Sequence, residues 1–450
     1  MAAMSAVPVA AQQAGAATPS SPLAIHVGDA DLLIGGFMDA TVITRSTNPG
    51  TGIGTSFGTI PFTTTASGAP NPAGQLGETR FSTQNSRLTL QATSKAGGGN
   101  LKGYIEADFL GNTASNLNVT SNSNGLRMRL YWAQYQRGKF EFLAGQSWSF
   151  LTPNRNGLSP MPGDLFYSQD VDTNYQMGLT WGRTTQFRFI AHASDTVTAG
   201  VSIENPEQYV GGAVVLPAAF TAAEVDTGAG NVGSSSAVPN AYPDIIGKVA
   251  FDPKTGNTHQ HIDVAFLVRG YKTFNPATSA DFTATGSAES VNVVLEPVKN
   301  FKLVATNFFS SGGGRYIANT NIPDFVVNAD QSLSLVKSWS GIYGAEIQAG
   351  SKSLLYGYYS IAQGTQNTAF DANGTTSIGF GVANSQSANH KVQEATVGLT
   401  QTLFRDAKIG GMQVMLQFSN VQRTPFAVPA NTPSDAKANM VYVNVRYLLP

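Results

Sequence analysis

Hydrophobic and polar residues alternate along most of this chain from Asp31 onwards, in segments of about ten residues. Successive side chains of a β-strand point to opposite faces, so a period of two is typical of strands with one apolar and one polar face. The alternation predicts sixteen strands. They centre on residues 33–45, 79–92, 101–111, 126–136, 139–149, 184–193, 196–205, 244–252, 259–274, 284–296, 301–311, 341–349, 353–363, 390–404, 411–424 and 437–449.

The connections between these segments are short and long in turn. The short ones are Lys95–Asn100, Arg137–Gly138, Ser194–Asp195, Pro253–Thr258, Pro297–Asn300, Gly350–Lys352 and Arg405–Gly410. The long ones are 46–78, 112–125, 150–183, 206–243, 275–283, 312–340, 364–389 and 425–436. Bacterial outer-membrane barrels have an even strand count, short periplasmic turns and longer external loops. The sequence therefore predicts an all-β fold, a closed transmembrane antiparallel barrel of about sixteen strands.

The faces of single strands fit a barrel with a wet interior. Within 126–136, strict parity places Leu126, Met128, Leu130 and Trp132 on one face and Arg127, Arg129, Tyr131 and Tyr135 on the other. A soluble β-sandwich also alternates, but sixteen strands are too many for one sandwich, and the polar faces lack a Lys/Glu-rich surface. We expect the last strand to close against the first. We interpret Trp132, Trp148, Tyr343, Tyr358 and Tyr447 as aromatic residues at the membrane interfaces.

Residues 174–182 also alternate and could form a strand of their own. Counting them as one would put the 206–243 connection on the periplasmic side, against the short-turn rule. They are therefore assigned to the third long loop or to an external extension of the next strand.

Composition narrows the class further. Charged residues make up only 12% of the chain, yet no apolar run approaches the roughly 18 residues that a membrane helix needs. A formal net charge of −1 argues against nucleic acid as a partner. The absence of cysteine supports export only weakly, since a reducing cytosol explains it equally well.

The N-terminal residues resemble the end of a secretory signal. Val9-Ala10-Ala11 offers a small-residue cleavage pattern, so residues 1–11 are predicted to be a signal-peptide remnant. Residues 12–30 are then a flexible N-terminal segment and residues 31–450 the barrel. A disordered Ala/Pro linker is the alternative for the N-terminus.

The stretch Phe142–Phe150 contains a Gly-Gln-x-Trp-Ser core, the most specific of several short motifs in the chain. Weaker motifs are Ser86–Leu90, Thr185–Phe189, Ser202–Pro206 and Pro243–Phe251. These motifs resemble the DcaP-like family of trimeric outer-membrane porins. The resemblance implies a homotrimeric diffusion channel in the bacterial outer membrane, in contact with lipid and lipopolysaccharide, whose third loop folds into the lumen. The chain departs from the pattern in ending at Pro450 rather than at an aromatic residue.

The third loop, 151–183, supplies the candidate selectivity site. It carries Arg155, Asp164, Asp170 and Asp172, while parity puts Arg87, Arg127, Arg129 and Arg188 on the opposing lumen wall. Acidic groups on the loop facing arginines on the wall would create a transverse field that favours polar and ionic solutes. In the alternative interpretation these arginines form structural bridges with Glu106, Asp108, Glu141 or the loop carboxylates.

This pattern favours a porin for passive diffusion of small hydrophilic solutes, with a preference for anions such as small carboxylates as a hypothesis. A substrate-specific channel and a non-channel adhesive surface barrel are the alternatives. We predict no enzymatic activity, no cofactor and no metal. His259 and His261 share a strand face but have only Asp263 as a neighbouring ligand, and Gly50–Gly58 lacks the Gly-Lys-Ser/Thr ending of a phosphate loop.

Overall fold

The computed structural model describes residues 21–111, 124–161, 165–228, 238–383 and 385–450. Within these ranges, sixteen strands form one antiparallel sheet that closes on itself. The barrel strands are β1 (Ala30–Arg45), β2 (Glu78–Ser82 continued by Arg87–Ala96), β3 (Gly99–Asp108), β4 (Arg127–Arg137), β5 (Phe140–Trp148), β6 (Arg183–His192), β7 (Val197–Glu204), β8 (Asp244–Phe251), β9 (Thr258–Asn275), β10 (Ala280–Val298), β11 (Phe301–Ser311), β12 (Lys337–Ala349), β13 (Ser353–Gly364), β14 (Asn389–Asp406), β15 (Gly410–Pro425) and β16 (Ala436–Leu448).

The barrel closes where β1 pairs with β16, from Phe37 opposite Leu448 to Arg45 opposite Met440. Closure lets the backbone donors and acceptors of β1 and β16 hydrogen-bond to each other, which lipid could not replace. A short strand, Ala24–Val27, continues the seam by pairing with residues 30–33 of β1 beyond the end of β16. This part of the segment predicted to be flexible therefore belongs to the sheet, whereas residues 1–20 lie outside the described ranges.

The predicted strands are confirmed, and residues 174–182 lie in the third loop. Short and long connections alternate as predicted, with one exception. The segment 275–283, predicted to be a long loop, is not one. β9 and β10 pair as far as Asn275 opposite Ala280, which leaves a four-residue turn, 276–279. The segment was predicted as a loop because Asn275, Pro276 and Ser279 are residue types typical of turns, but the two strands continue up to this turn.

A β-bulge in β4 corrects the predicted faces of that strand. Glu106 of β3 pairs with Leu130 and Ala107 with Met128, so that Arg129 is the extra residue. Arg129 and Leu130 both face inwards, and parity is inverted beyond them. The rings of Trp132 and Tyr131 therefore exchange faces relative to the prediction, Trp132 being buried and Tyr131 exposed.

The neighbouring strand accommodates the bulge with a glycine. Gly145 of β5 has φ 136°, and a Cβ atom there would lie 2.5 Å from the carbonyl oxygen of Tyr131. A side chain would fit neither the backbone conformation nor the space. This close approach explains the glycine of the Gly-Gln-x-Trp-Ser core.

The outer face of the barrel is apolar and the inner face polar. Val249, Phe266 and Val445 are among the exposed large hydrophobic residues, whereas the side chains that alternate with them are buried in the interior. Of the five aromatic residues predicted at the membrane interfaces, Tyr343 faces outwards. Trp132, Trp148 and Tyr358 instead contact other aromatic rings inside the barrel.

The external loops carry short elements that pack over one end of the barrel. These are an α-helix (Pro72–Gln75), 3₁₀ turns (Phe57–Thr59, Ala222–Glu224 and Gly314–Tyr316) and strands (Val214–Val215, Phe325–Val327, Leu333–Leu335, Asn367–Phe370 and Ser377–Phe380); Lys254–Thr255 is a short strand at the opposite end. Strands 214–215 and 367–370 both pair with 377–380, which joins the fourth loop to the seventh. No helix within the described ranges is long and apolar enough to cross a membrane.

Because one strand face points towards lipid, a charged residue placed on that face should destabilise the barrel. Val249 on β8 is 50% exposed on the lipid-facing side. We expect Val249→Arg to lower the free energy of unfolding by about 2–4 kcal/mol, the cost of an arginine near the bilayer midplane. Urea unfolding in lipid vesicles measures this, with Val249→Leu as the control. A loss no larger for arginine than for leucine would place Val249 away from lipid.

Candidate functional site

The connection after β5, residues 149–182, enters the lumen and is called here the constriction loop. It is described over 149–161 and 165–182. Its backbone amides bond to carboxylates and amides of the wall at widely separated strands. Phe150 N donates to Glu204 Oε1 (2.7 Å), Asn154 N to Asp263 Oδ2 (3.0 Å), Gln169 N to Gln417 Oε1 (2.8 Å) and Met177 N to Glu394 Oε2 (3.1 Å). The predicted folding of this loop into the lumen is confirmed.

Arg155 fixes the first half of the loop to the wall. Its Nη1 donates to Glu346 Oε2 on β12 (2.8 Å), and its Nε donates to the carbonyl oxygen of Leu165 (3.1 Å). Tyr358 donates a further hydrogen bond to Glu346. Arg155 thus connects Leu165 of the loop to Glu346 on the wall. It lies on the side of the barrel opposite the other arginines and does not belong to the arginine wall.

Asp172 is the point where the loop meets the arginine wall. Its carboxylate pairs with Arg87 on β2 (3.2 Å), with Arg127 on β4 (3.2 Å) and with Arg129. Burial would raise the pKa of Asp172, but the arginines outweigh it and hold that pKa below its usual range. The loop carboxylate and the wall arginines are therefore in direct contact rather than on two sides of an open gap.

Two wall carboxylates complete this cluster. Arg129 Nε donates to Glu106 Oε1 (2.6 Å) and its Nη1 to Asp108 Oδ2 (2.8 Å), while Arg127 Nε donates to Asp108 Oδ1 (2.9 Å). The Arg129 side chain has no exposed surface, but Arg127 keeps 33%. For Arg129 the structural-bridge alternative therefore describes the geometry, whereas Arg127 also presents charge to the solvent of the lumen.

Two other candidates, Arg188 and Asp170, lie elsewhere. Arg188 on β6 is buried, donates to the carbonyl oxygen of Trp148 (2.7 Å) and stacks over Phe150. Asp170 does not face the arginines: its Oδ1 accepts hydrogen bonds from Gln417 and Ser419 on β15. Asp164 lies outside the described residues.

Sequence reasoning missed Arg183, the first residue of β6. Its guanidinium lies over the rings of Trp148 (5.7 Å) and Trp181 (5.4 Å) beside the Asp172 cluster. The Nη1 atom has no hydrogen-bond partner in the described part of the chain. The sequence offered one signal, since Arg183 directly follows the loop. The contact of its guanidinium with two tryptophans could not be predicted, because only the folded loop brings Trp181 beside Trp148.

The cluster carries an excess of positive charge. Four arginines (Arg87, Arg127, Arg129 and Arg183) meet three carboxylates (Glu106, Asp108 and Asp172). Arg183 is the cation among them for which the described residues supply no carboxylate at ion-pair distance. The unbalanced charge therefore lies on an arginine held by aromatic rings.

The two histidines considered as metal ligands have other partners. His261 is held between Asp252 (2.8 Å) and Asp263 (2.9 Å), and His259 Nε2 lies 2.6 Å from the carbonyl oxygen of Arg155. The described ranges contain no group of three or more His, Cys, Asp or Glu residues arranged to hold a metal ion. His259 thus bonds to the constriction loop directly, whereas His261 bonds to Asp263, the acceptor of the loop amide Asn154 N.

Comparisons of the whole chain place the fold. Neither protein-family models nor curated protein sequences give a match. The structure is similar to the outer-membrane channel DcaP of Acinetobacter baumannii, with a TM-score of 0.66 and 17% identity over 93% of this chain and 97% of that one. It is also similar to an anion-selective porin from Comamonas acidovorans, with a TM-score of 0.50 and 11% identity over 93% of this chain and 99% of that one.

The closed sixteen-stranded barrel, its apolar outer face and its inward-folded third loop give this chain the fold of the outer-membrane porins. Within that class the chain has the fold of the DcaP channel. The predicted resemblance is thus confirmed for the fold.

The Asp172 cluster yields a prediction about loop stability. Removing one partner of a buried ion pair costs about 3–5 kcal/mol because the other charge stays buried without compensation. We expect Asp172→Asn to loosen the constriction loop, seen as faster hydrogen exchange of the amides of residues 165–177, with the barrel strands unchanged. Asp31→Asn, in the exposed pair with His26, is the control and should have no effect on the loop. Equal protection in Asp172→Asn and the unaltered protein would contradict this role.

Proposed function

We propose that this protein is a porin for passive diffusion of small hydrophilic solutes, with a preference for anions. The observation that carries the proposal is the constriction loop, whose contact with the wall leaves one arginine charge unbalanced beside the partly exposed Arg127. A barrel of sixteen strands is wide enough for a water-filled lumen, so a loop folded across it sets the width and charge of the passage.

The charge acts on solutes at short range. Water in the lumen screens it, so that a single charge a few ångströms away contributes about 1 kcal/mol, or about a fivefold change in local ion concentration. A modest anion preference follows, not exclusion of cations. One of the two similar structures, the porin from Comamonas acidovorans, is anion-selective, which supports this direction.

The proposal includes a homotrimer, since the outer face at the closure is apolar. Met38 on β1 and Val441 and Val445 on β16 are exposed together on one wall. Such a face suits a threefold interface between copies of the chain, in the place of lipid. Native mass spectrometry from mild detergent measures the assembly, and a protein that remains a monomer at every concentration would contradict it.

We also propose that the barrel has no enzymatic role. The polar clusters described above are ion pairs and hydrogen bonds within the wall and between the wall and the loop. His259 and His261 both take part in them.

Ion selectivity tests the proposal directly. The purified protein is inserted into a planar bilayer under a salt gradient, and the sign of the reversal potential is recorded. We expect an anion-selective current, and we expect Arg183→Gln to move the anion-to-cation permeability ratio towards unity by up to about fivefold.

The matched control is Arg405→Gln, which removes the same charge from an exposed position at the periplasmic end of β14. It should leave the reversal potential unchanged. Cation selectivity of the unaltered protein would reject the anion preference. A silent bilayer, from protein that still migrates as a heat-modifiable barrel, would reject the channel itself in favour of a surface role.

A further inference from the structure

Asp170 and Glu394 form a second contact between the constriction loop and the wall, remote from the arginines. Asp170 lies on the loop and has no exposed surface, and Glu394 on β14 is 1% exposed. Their carboxyl groups lie within hydrogen-bonding reach of each other. Two buried carboxylates in contact repel strongly when both are ionised, so the arrangement requires a compensating positive charge.

The outer oxygens of the pair already have donors. Asp170 Oδ1 accepts from Gln417 Nε2 (2.6 Å) and Ser419 Oγ (3.1 Å), and Glu394 Oε2 accepts from Gln176 Nε2 (2.8 Å) and Met177 N (3.1 Å). The other two oxygens, Asp170 Oδ2 and Glu394 Oε1, are buried and find no donor in the described part of the chain. A single proton shared by the two carboxyl groups would supply a donor that the described residues do not.

Among the residues that the structure describes, no cationic side chain supplies the compensating charge. The titratable and charged groups around the pair are Tyr356 on β13, Tyr442 and Arg446 on β16, and Arg45 on β1. Arg446 is bonded to Asp39, and Arg45 to Glu78 and to backbone carbonyls of the first loop. Tyr442 donates to the backbone oxygen of Asp170 (3.0 Å), not to its carboxyl group.

We propose that Asp170 and Glu394 share one proton and that this proton is a pH-sensitive latch holding the constriction loop against β14 and β15. Loss of the proton leaves two adjacent negative charges in a buried site. The loop segment 168–177 then separates from β14 and β15 and moves further towards the centre of the lumen, where it blocks the ion current.

The direction of the pH dependence follows from linkage. Burial, followed by the neighbouring Glu394, raises the pKa of Asp170 well above its ordinary value. The docked loop therefore binds a proton more tightly than the released loop. Docking is strongest at acidic pH and weakens as pH rises towards the raised pKa, by up to about tenfold in the equilibrium constant for each pH unit.

Two variants replace the shared proton with an amide hydrogen. Glu394→Gln and Asp170→Asn can each donate to the remaining carboxylate and keep the outer acceptor oxygens. Glu204→Gln is the matched control, since Glu204 is an equally buried carboxylate that also holds the loop, through Phe150 N. Thr184 and Ser202 donate to Glu204, and the acid opposite it in the sheet, Asp244, is compensated by Arg269 (3.3 Å).

The first readout is single-channel recording between pH 5 and pH 9. We expect the unaltered protein and Glu204→Gln to show brief closures whose frequency rises with pH, and Glu394→Gln and Asp170→Asn to lack this rise. A rise that persists in Glu394→Gln would overturn the proposal. This readout rests on the proposed channel function.

The second readout does not depend on conduction. Infrared difference spectra between the unaltered protein and Glu394→Gln, in detergent at pH 7, report the carbonyl stretch of a protonated carboxylic acid. We expect the band in the unaltered protein, its loss at high pH, and its absence from the variant. Absence of the band from the unaltered protein at pH 7 would overturn the latch. So would a band that appears only after divalent cations are chelated, because a bound cation would then replace the proton.

Discussion

The structure depends first on the inability of lipid to hydrogen-bond a peptide group. Sixteen antiparallel strands can cross a bilayer only if the first and last pair with each other, and the β1–β16 seam does this over nine residue pairs from Phe37 to Arg45. The strand Ala24–Val27 extends the seam beyond the end of β16. In a closed barrel, one face of every strand points towards lipid and the other towards the lumen. Hydrophobic and polar residues therefore alternate along almost the whole chain.

The lumen creates a second constraint. Its wall is polar, and a loop that enters it must satisfy its own backbone and balance the buried charges it meets. The constriction loop does so with different chemistry at different strands: an arginine against Glu346, a carboxylate against three arginines, and a carboxyl group against Glu394. In the first two contacts each carboxylate lies against at least one arginine. In the third an added proton takes the place of the arginine, and this difference separates the structural anchors from the proposed latch.

The same geometry relates charge to transport. Most lumen charges in the Asp172 cluster are cancelled by contact, so an inventory of arginines on the wall overstates the field that a solute meets. What remains is the partial exposure of Arg127 and the unbalanced Arg183 between two tryptophan rings. A weak, local preference for anions is the physical consequence, and the position of the loop decides its size.

The sequence by itself determined the sixteen strands, their order, all the short and long connections except 275–283, and the inward face of Arg87 and Arg188, because a period of two can be read from neighbouring residues alone. Tertiary structure decided the rest. The bulge at Arg129 inverted the faces of Leu130 to Tyr135, since an extra residue in a ladder leaves no trace in the hydrophobic pattern. It also decided that Asp172 meets the arginines, that Asp170 meets Glu394, and that Arg183 lies beside Trp148. A loop without periodicity has its contacts fixed only by the complementary groups that the closed wall presents to it.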